Sequence, residues 1–426
     1  MKTFSKFLKG GAALMALMSL TFCQKDNSGG ESGGGNEPVV LNQRANCFVV
    51  KPGTAFQFPP CMGNSKNNVE ATSAGLVWQD NASLVSSVAV ENGNISVKLN
   101  AGQEGNAVVC ALNEAKDTTW SWTLWVLNDA IQDVTVSNSA GSATFMDRNI
   151  GALSANDLFG KAIGNFYQWG RKDAFPSQEF NTLESVDKKI YNLAGQEIKV
   201  RYFKMTEPSL NNIPVAIAHP LTSYWQAKQA GVTDGNYGWI STMWNSEEAA
   251  AIGIDTLWNN NSKKTIYDPC PAGYRVGDAA AWAVVTGFQA NPADTTTVTD
   301  KAYTPDASIT STWDERYYTQ YQYQAYFRGA RYGNLFLYAG GDKTHQGVGE
   351  GLVPKAKASS ICIWTAKADN LSTVNNFRAF AAKATPSFVK ATETEPPYVK
   401  VGALNTSSGL NFGYNCPVRC IKEVLE

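Results

Sequence analysis

Histidine is nearly absent: His219 and His345 are the two in 426 residues. A Ser- or Cys-based nucleophile needs such a base. His219 precedes Pro220 in an extended-turn context, and no Gly-x-Ser-x-Gly elbow accompanies it. Both histidines read as structural or surface groups, and the expectation is a protein that is not an enzyme. Charge is scarce too, at 17% of residues, and nearly balanced at 36 Lys+Arg against 37 Asp+Glu. The formal net charge of -1 becomes -4 once Lys2, Lys6 and Lys9 leave with a cleaved leader, which speaks against nucleic acid as a partner. Cys416 and Cys420 stand close in sequence but have no further Cys or His beside them, so no metal site is expected there. Glu207-Pro208-Ser209 and Trp244-Asn245-Ser246 each lack the last oxygen ligand that a calcium-dependent sugar site needs. No metal and no cofactor is expected.

What is present begins with a leader. Lys2, Lys6 and Lys9 precede an apolar run from Gly11 to Phe22 that is too short to span a bilayer as a stable helix, the layout of a signal peptide over residues 1–22. No later segment offers an apolar span. The leader closes on Leu20-Thr21-Phe22-Cys23, which resembles a bacterial lipobox and makes Cys23 the expected lipidation site. Acyl chains there tie the protein to a lipid bilayer at roughly 0.8 kcal/mol per buried methylene. Residues 23–44 read as a flexible tether, Gly/Ser-rich through Gly35 and too poor in apolar surface to fold. The polar run after Cys23 resembles the export tag of outward-facing Bacteroidetes lipoproteins, and the implied location is the outer membrane, lipid-anchored and facing the exterior.

With 43% hydrophobic and 11% aromatic residues the rest of the chain can bury one or two cores. Residues 45–128 alternate short apolar runs with turn signals. The clearest is Ser87-Val88-Ala89-Val90, Glu91-Asn92-Gly93-Asn94, Ile95-Ser96-Val97, a period-two pattern around an Asn-Gly turn that marks a hairpin. Cys61, Trp78 and Cys110 follow the order of the cystine and packed Trp of immunoglobulin domains, so an Ig-like β-sandwich with a Cys61–Cys110 bridge is expected. On a strand, Trp120 and Trp122 share one face and Trp125 takes the other. From residue 129 onward glycines multiply. Helices are expected from Asp157 to Arg171 and from Asp278 to Val285, the second capped by Asp278.

Within residues 129–426 stand Phe145-Met146-Asp147-Arg148-Asn149-Ile150-Gly151-Ala152, Phe166-Tyr167-Gln168-Trp169-Gly170-Arg171-Lys172-Asp173, Tyr267-Asp268-Pro269-Cys270-Pro271-Ala272-Gly273-Tyr274-Arg275-Val276 and Pro417-Val418-Arg419-Cys420-Ile421-Lys422. Together they resemble the Fibrobacter succinogenes major paralogous domain of Bacteroidetes and Fibrobacteres surface lipoproteins. The preceding module is similar to the sandwich of fimbrillin-associated lipoproteins. The resemblance implies a C-type-lectin-like fold for residues 129–426 and, with the sandwich, a mainly β chain with an α+β C-terminal part. Gly277-Asp278 departs from the Pro-Thr usual after the Gly-Tyr-Arg-Val motif, and Ile363-Trp364-Thr365 stands where Trp-Ser-Ser is usual.

Beside that resemblance, a Cys early in a domain and one on its last strand suit termini-closing, so Cys270 with Cys420 is the first pairing and Cys362 with Cys416 the second, Cys416 and Cys420 being able to exchange roles. Cys47 is left over. The implied function is non-catalytic: an adhesin or fimbria-associated binding protein taking cell-surface or fimbrial proteins as partners. The alternative is a glycan-capturing lipoprotein of a nutrient uptake system. For a ligand surface the candidates are Trp225, Tyr237, Trp239, Trp244 and Trp258, whose rings would stack on sugars or anchor partners if exposed and form core if not.

Overall fold

The computed structural model describes residues 38–139, 141–155, 160–181, 184–205, 212–226, 239, 256–260, 262–286, 329–332, 334–338, 340, 342–346, 353–356, 360–368, 378–384, 386–389, 398–401 and 404–424. These residues form a mainly β fold built of several sheets.

Alternation in the first part puts one apolar face on each of two sheets. One sheet has the order β1 (Val39–Val40), β3 (Ala55–Phe58), β6 (Asn94–Leu99), β5 (Val85–Glu91). The hairpin between β5 and β6 turns through Asn92 at φ 51° and Gly93 at φ 78°, the paired positive values that an Asn-Gly turn favours. The other sheet runs β2 (Cys47–Val50), β8 (Thr118–Val126), β7 (Gly105–Leu112), β4 (Ser73–Gln79) and continues into the strands Ile190–Tyr191 and Glu197–Ile198. Phe56, Phe58, Ile95 and Val97 from the first sheet and Phe48, Val109, Trp122 and Leu124 from the second close one core.

The second sheet is buried on both faces. Trp120 and Trp122 point into the inter-sheet core, while Trp125, Trp78 and Val108 enter a second core shared with the C-terminal half. This geometry overturns the expected Cys61–Cys110 bridge. Cys110 lies two residues beyond Val108 on the outward side of β7, whereas the Cys61 carbonyl accepts from Trp122 Nε1 at 3.1 Å on the inner side, so the sheet stands between them. Both are free, buried thiols.

In the C-terminal half, β10 (Gly141–Met146) pairs with β9 (Asp133–Asn138) and with the strand Cys420–Lys422, which also pairs with Tyr274–Val276. Cys270 and Cys420 form the expected disulfide across this sheet. A second sheet orders Ile361–Ala368, Arg378–Ala384 and Asn405–Asn411. The helix Ala279–Thr286 packs on these elements, with Asp278 Oδ1 accepting from the Ala281 N–H at 3.0 Å. No helix forms over the described part of 157–171. Residues 166–168 are the strand β11 (Phe166–Gln168), flanked by Gly164 and Gly170 at positive φ, 82° and 84°, which a right-handed helix excludes.

Contacts across residue 128 are specific. Asn46 Nδ2 donates to the carbonyls of Ile266 at 2.7 Å and Asp268 at 2.8 Å, and Asn46 Oδ1 accepts from Trp120 Nε1 at 2.9 Å. Cys47 bridges to Pro271, and Asn106 Nδ2 donates to the Gly151 carbonyl at 2.8 Å. Residues Pro38–Glu426 accordingly form one compact unit. Asn46→Ala strands the buried Asp268 carbonyl and Trp120 indole N–H and the partly buried Ile266 carbonyl; at about 1–3 kcal/mol per buried unpaired group, urea unfolding is expected to lose at least about 2 kcal/mol. A loss under about 1 kcal/mol would contradict this accounting.

Candidate functional site

The segment Phe166–Phe175 is densely hydrogen-bonded to the rest of the fold. It begins with β11 and turns at Gly170, where a Cβ would come within 2.6 Å of Leu257. Its backbone is buried and only β11 has a strand partner, Asn415–Pro417, so its outward carbonyls need other donors. Tryptophans supply them. Trp364 Nε1 donates to the Tyr167 carbonyl at 2.7 Å, Trp239 Nε1 to the Trp169 carbonyl at 2.7 Å, Trp258 Nε1 to the Arg171 carbonyl at 3.1 Å, and Trp78 Nε1 to the Ala174 carbonyl at 3.1 Å. Each indole thereby fills apolar space with its ring and satisfies a buried acceptor with its edge.

The side chains of the same segment carry charge into the interior. Arg171 donates to Gln168 Oε1 at 2.9 Å, to the Thr222 carbonyl at 2.7 Å and to Asp173 Oδ2 at 3.0 Å. Its guanidinium lies 5.1 Å from the Phe175 ring centroid, 5.6 Å from Tyr224 and 5.7 Å from Trp239. Lys172 Nζ donates to Ser121 Oγ and to Asp173 Oδ1, both at 2.6 Å, and sits 4.5 Å from the Trp120 ring centroid. Ser121 Oγ donates to Asp173 Oδ1 at 2.7 Å. Burial pushes the Lys172 ammonium below its ordinary pKa against the pull of Asp173. Burial pushes the Asp173 carboxyl up, but Lys172 and Arg171 outweigh it and hold the group below the usual carboxylate range. An amine within hydrogen-bond reach of a hydroxyl is the geometry of nucleophile activation. Here the hydroxyl donates to a carboxylate instead, and Ser121, Lys172 and Asp173 are 2–3% exposed, so the arrangement serves as an internal charge lock.

A second buried cation organises the Tyr267–Val276 loop. Lys264 Nζ donates to the carbonyls of Cys270 at 2.5 Å, Pro271 at 2.8 Å and Tyr274 at 2.7 Å, with Asp268 Oδ1 at 3.9 Å. Asp268 accepts from the Cys270 N–H at 2.8 Å and the Val276 N–H at 2.9 Å. Burial raises its carboxyl to about 6 despite Lys264 and those two donors. The Pro417–Lys422 motif adds Arg419, which donates to Asn149 Oδ1 at 2.8 Å and the carbonyls of Met146 at 3.0 Å and Phe336 at 3.3 Å; burial lowers it to about 9.

Comparison with family models, with curated proteins and with solved structures gives no match to this chain. The geometry alone therefore assigns the residues singled out in the sequence. Trp239, 2% exposed, and Trp258, at 0%, are not ligand-surface residues: their rings lie in the second core and their N–H groups cap Trp169 and Arg171. Trp225 lies on the strand Thr222–Gln226, whose neighbour Tyr224 is buried against Arg171. Tyr237 and Trp244 fall outside the described residues, as does Cys23. Cys362 and Cys416, the second expected pair, are brought together as free thiols with their sulfurs 3.4 Å apart. Among the described residues no group of His, Cys, Asp and Glu is arranged to hold a metal ion. His219 is exposed at the end of the helix Ile213–Ala218, and His345 lies on the strand Lys343–Gln346. Ser121, Lys172, Asp173, Lys264 and Asp268 had no assigned role in the sequence. For Lys172 and Asp173 the signal was a run of three charges, Arg171-Lys172-Asp173, inside an otherwise aromatic and apolar stretch; Asp268 stood only within the Tyr267–Val276 motif, and nothing in the sequence marked Ser121 or Lys264.

Two outcomes follow from these bonds. Trp239→Phe keeps a ring but leaves the Trp169 carbonyl unpaired, and should cost about 1–3 kcal/mol in urea unfolding while leaving any glycan binding unchanged. A lost glycan signal in a variant of wild-type stability would restore the surface role. For Asp268, a carboxyl whose folded pKa exceeds its unfolded value adds stability that is full below about 4 and lost as pH rises through about 6. Wild type should gain on the order of 2–3 kcal/mol relative to Asp268→Asn between pH 7 and pH 4, and a pH-independent difference would contradict the assignment.

Proposed function

We propose that this chain is a surface-displayed lipoprotein that works by binding, as an adhesin or fimbria-associated protein held to the outer membrane through an acylated Cys23. The observation that carries the reading is where the tether enters the body. Chain leaving residue 37 meets β1 and then β2, and β2 is bonded in parallel to β8 while Asn46 and Cys47 at its start fasten to Ile266, Asp268 and Pro271. A pull through the tether is thus shared between both halves. A body that must hold its shape while pulled on from one end suits display and adhesion.

The finer description, an Ig-like module followed by a C-type-lectin-like domain of the Fibrobacter succinogenes major paralogous type, belongs to the same proposal and rests on the motif resemblance. Two of the five ring candidates for glycan stacking, Trp239 and Trp258, lie in the core and do not support glycan capture. Protein partners, cell-surface or fimbrial, are the reading retained.

The experiment has two arms. Cells expressing the full chain are fed labelled palmitate, and label is expected on wild type but not on Cys23→Ala, which should leave the membrane fraction. The soluble form beginning near Asn36 is then tested on a glycan array and in a pulldown with fimbrial subunits. Recovery of subunits with a silent array is expected. Equal palmitate labelling of both proteins would overturn the anchor, and array binding without subunit recovery would overturn the partner.

A further inference from the structure

Among the buried reactive groups, Cys362 and Cys416 are the pair placed to react with each other. Cys362 lies on Ile361–Ala368 and Cys416 on Asn415–Pro417, and the parallel bridge between Trp364 and Val418, two residues further along each chain, puts the two cysteines side by side. Their sulfurs are 3.4 Å apart and both residues are fully buried. A disulfide needs about 2.05 Å, so closure draws the two sulfurs together from this contact. Lys383, paired with Cys362 across the sheet, and Asp342, whose carboxylate lies 3.9 Å from Lys383, are the charged groups nearby.

We propose that Cys362 and Cys416 are an oxidation site whose state is chosen while the chain folds and is then locked by the core. The inference is independent of the partner proposed above. In the open chain one thiolate attacks a small-molecule disulfide such as oxidised glutathione, releasing one small thiol. The second thiolate attacks the mixed disulfide, forming the Sγ–Sγ bond and releasing the second small thiol, so two protein thiols are oxidised and one disulfide is reduced. After folding the same exchange stops in both directions. The attacking species is the thiolate, and burial, with Cys362 close by, holds the Cys416 thiol well above its ordinary range. Solvent reaches neither sulfur. Closure in an oxidising compartment would tie the strand Asn415–Pro417 to the sheet of Ile361–Ala368, beside the Cys270–Cys420 bond that already holds Cys420–Lys422.

The test uses the full chain, unfolded and reduced, then refolded with a mixture of oxidised and reduced glutathione, alkylated and digested with trypsin. Cleavage after Arg419 separates Cys416 from Cys420, so the links are distinguishable by mass. Wild type should yield a Cys362–Cys416 peptide together with Cys270–Cys420, and Cys362→Ser should yield Cys270–Cys420 with Cys416 alkylated. Treated with dithiothreitol without denaturant, the Cys362–Cys416 link should open at least about a hundredfold more slowly than in urea, on the premise that exchange needs access to the sulfur. Recovery of Cys362 and Cys416 as alkylated thiols from the oxidative refolding overturns the site. Equal opening rates with and without urea overturn the lock.

Discussion

The fold depends on how the carbonyls of Tyr167–Ala174 are satisfied. This segment passes through the interior with little sheet pairing, and a buried unpaired carbonyl costs about 1–3 kcal/mol. Four indole N–H groups from Trp78, Trp239, Trp258 and Trp364 meet that demand, and they come from segments spread over most of the described chain. Every one of those segments must be in place for the passage to be stable, and the passage in turn carries Arg171, Lys172 and Asp173 to their partners. Tryptophan is suited to this because its donor sits at the edge of a large apolar body.

The same economy governs the interior cations. Lys172, Lys264, Lys343, Arg171 and Arg419 are all buried, and each is surrounded by oxygen atoms of the backbone or of Asp, Ser, Asn or Gln side chains. Lys343 Nζ repeats the pattern at Asp187 Oδ1, 2.6 Å away, over the Phe166 ring. Such groups add little net stability compared with apolar replacements, but removing one partner strands a charge at a cost of about 3–5 kcal/mol. They fix the course of individual loops, as Lys264 does for the Tyr267–Val276 loop that Asn46 then fastens beside β2.

Much of the β architecture was legible in the sequence because period two and turn chemistry are local. The Asn92-Gly93 hairpin, the split of Trp120 and Trp122 from Trp125, and the Asp278-capped helix each follow from residues that touch one another along the chain. The misses are non-local. Cys61 and Cys110 have the order of a cystine, but which face of β7 a cysteine takes depends on a second core invisible from that stretch. The strands Ile190–Tyr191 and Glu197–Ile198 join β4 from far along the chain. Gly164 and Gly170 interrupt what reads as a helix from Asp157 to Arg171. Aromatic richness near Trp239 and Trp258 suggested a binding surface, whereas their N–H groups were needed by carbonyls that no sequence pattern announces.

The passage at Phe166–Phe175 makes both halves one cooperative unit. Native-state hydrogen exchange across rising urea tests it at three amides: Thr123, bonded to the Asn46 carbonyl at 2.7 Å; Phe166, bonded to the Phe175 carbonyl at 3.0 Å; and Ile150, bonded to the Val418 carbonyl at 3.0 Å. All three should merge onto a single opening free energy with the same dependence on urea. Exchange of Phe166 and Ile150 through a lower-energy opening, while Thr123 stays protected, would show that the halves unfold separately and would contradict it.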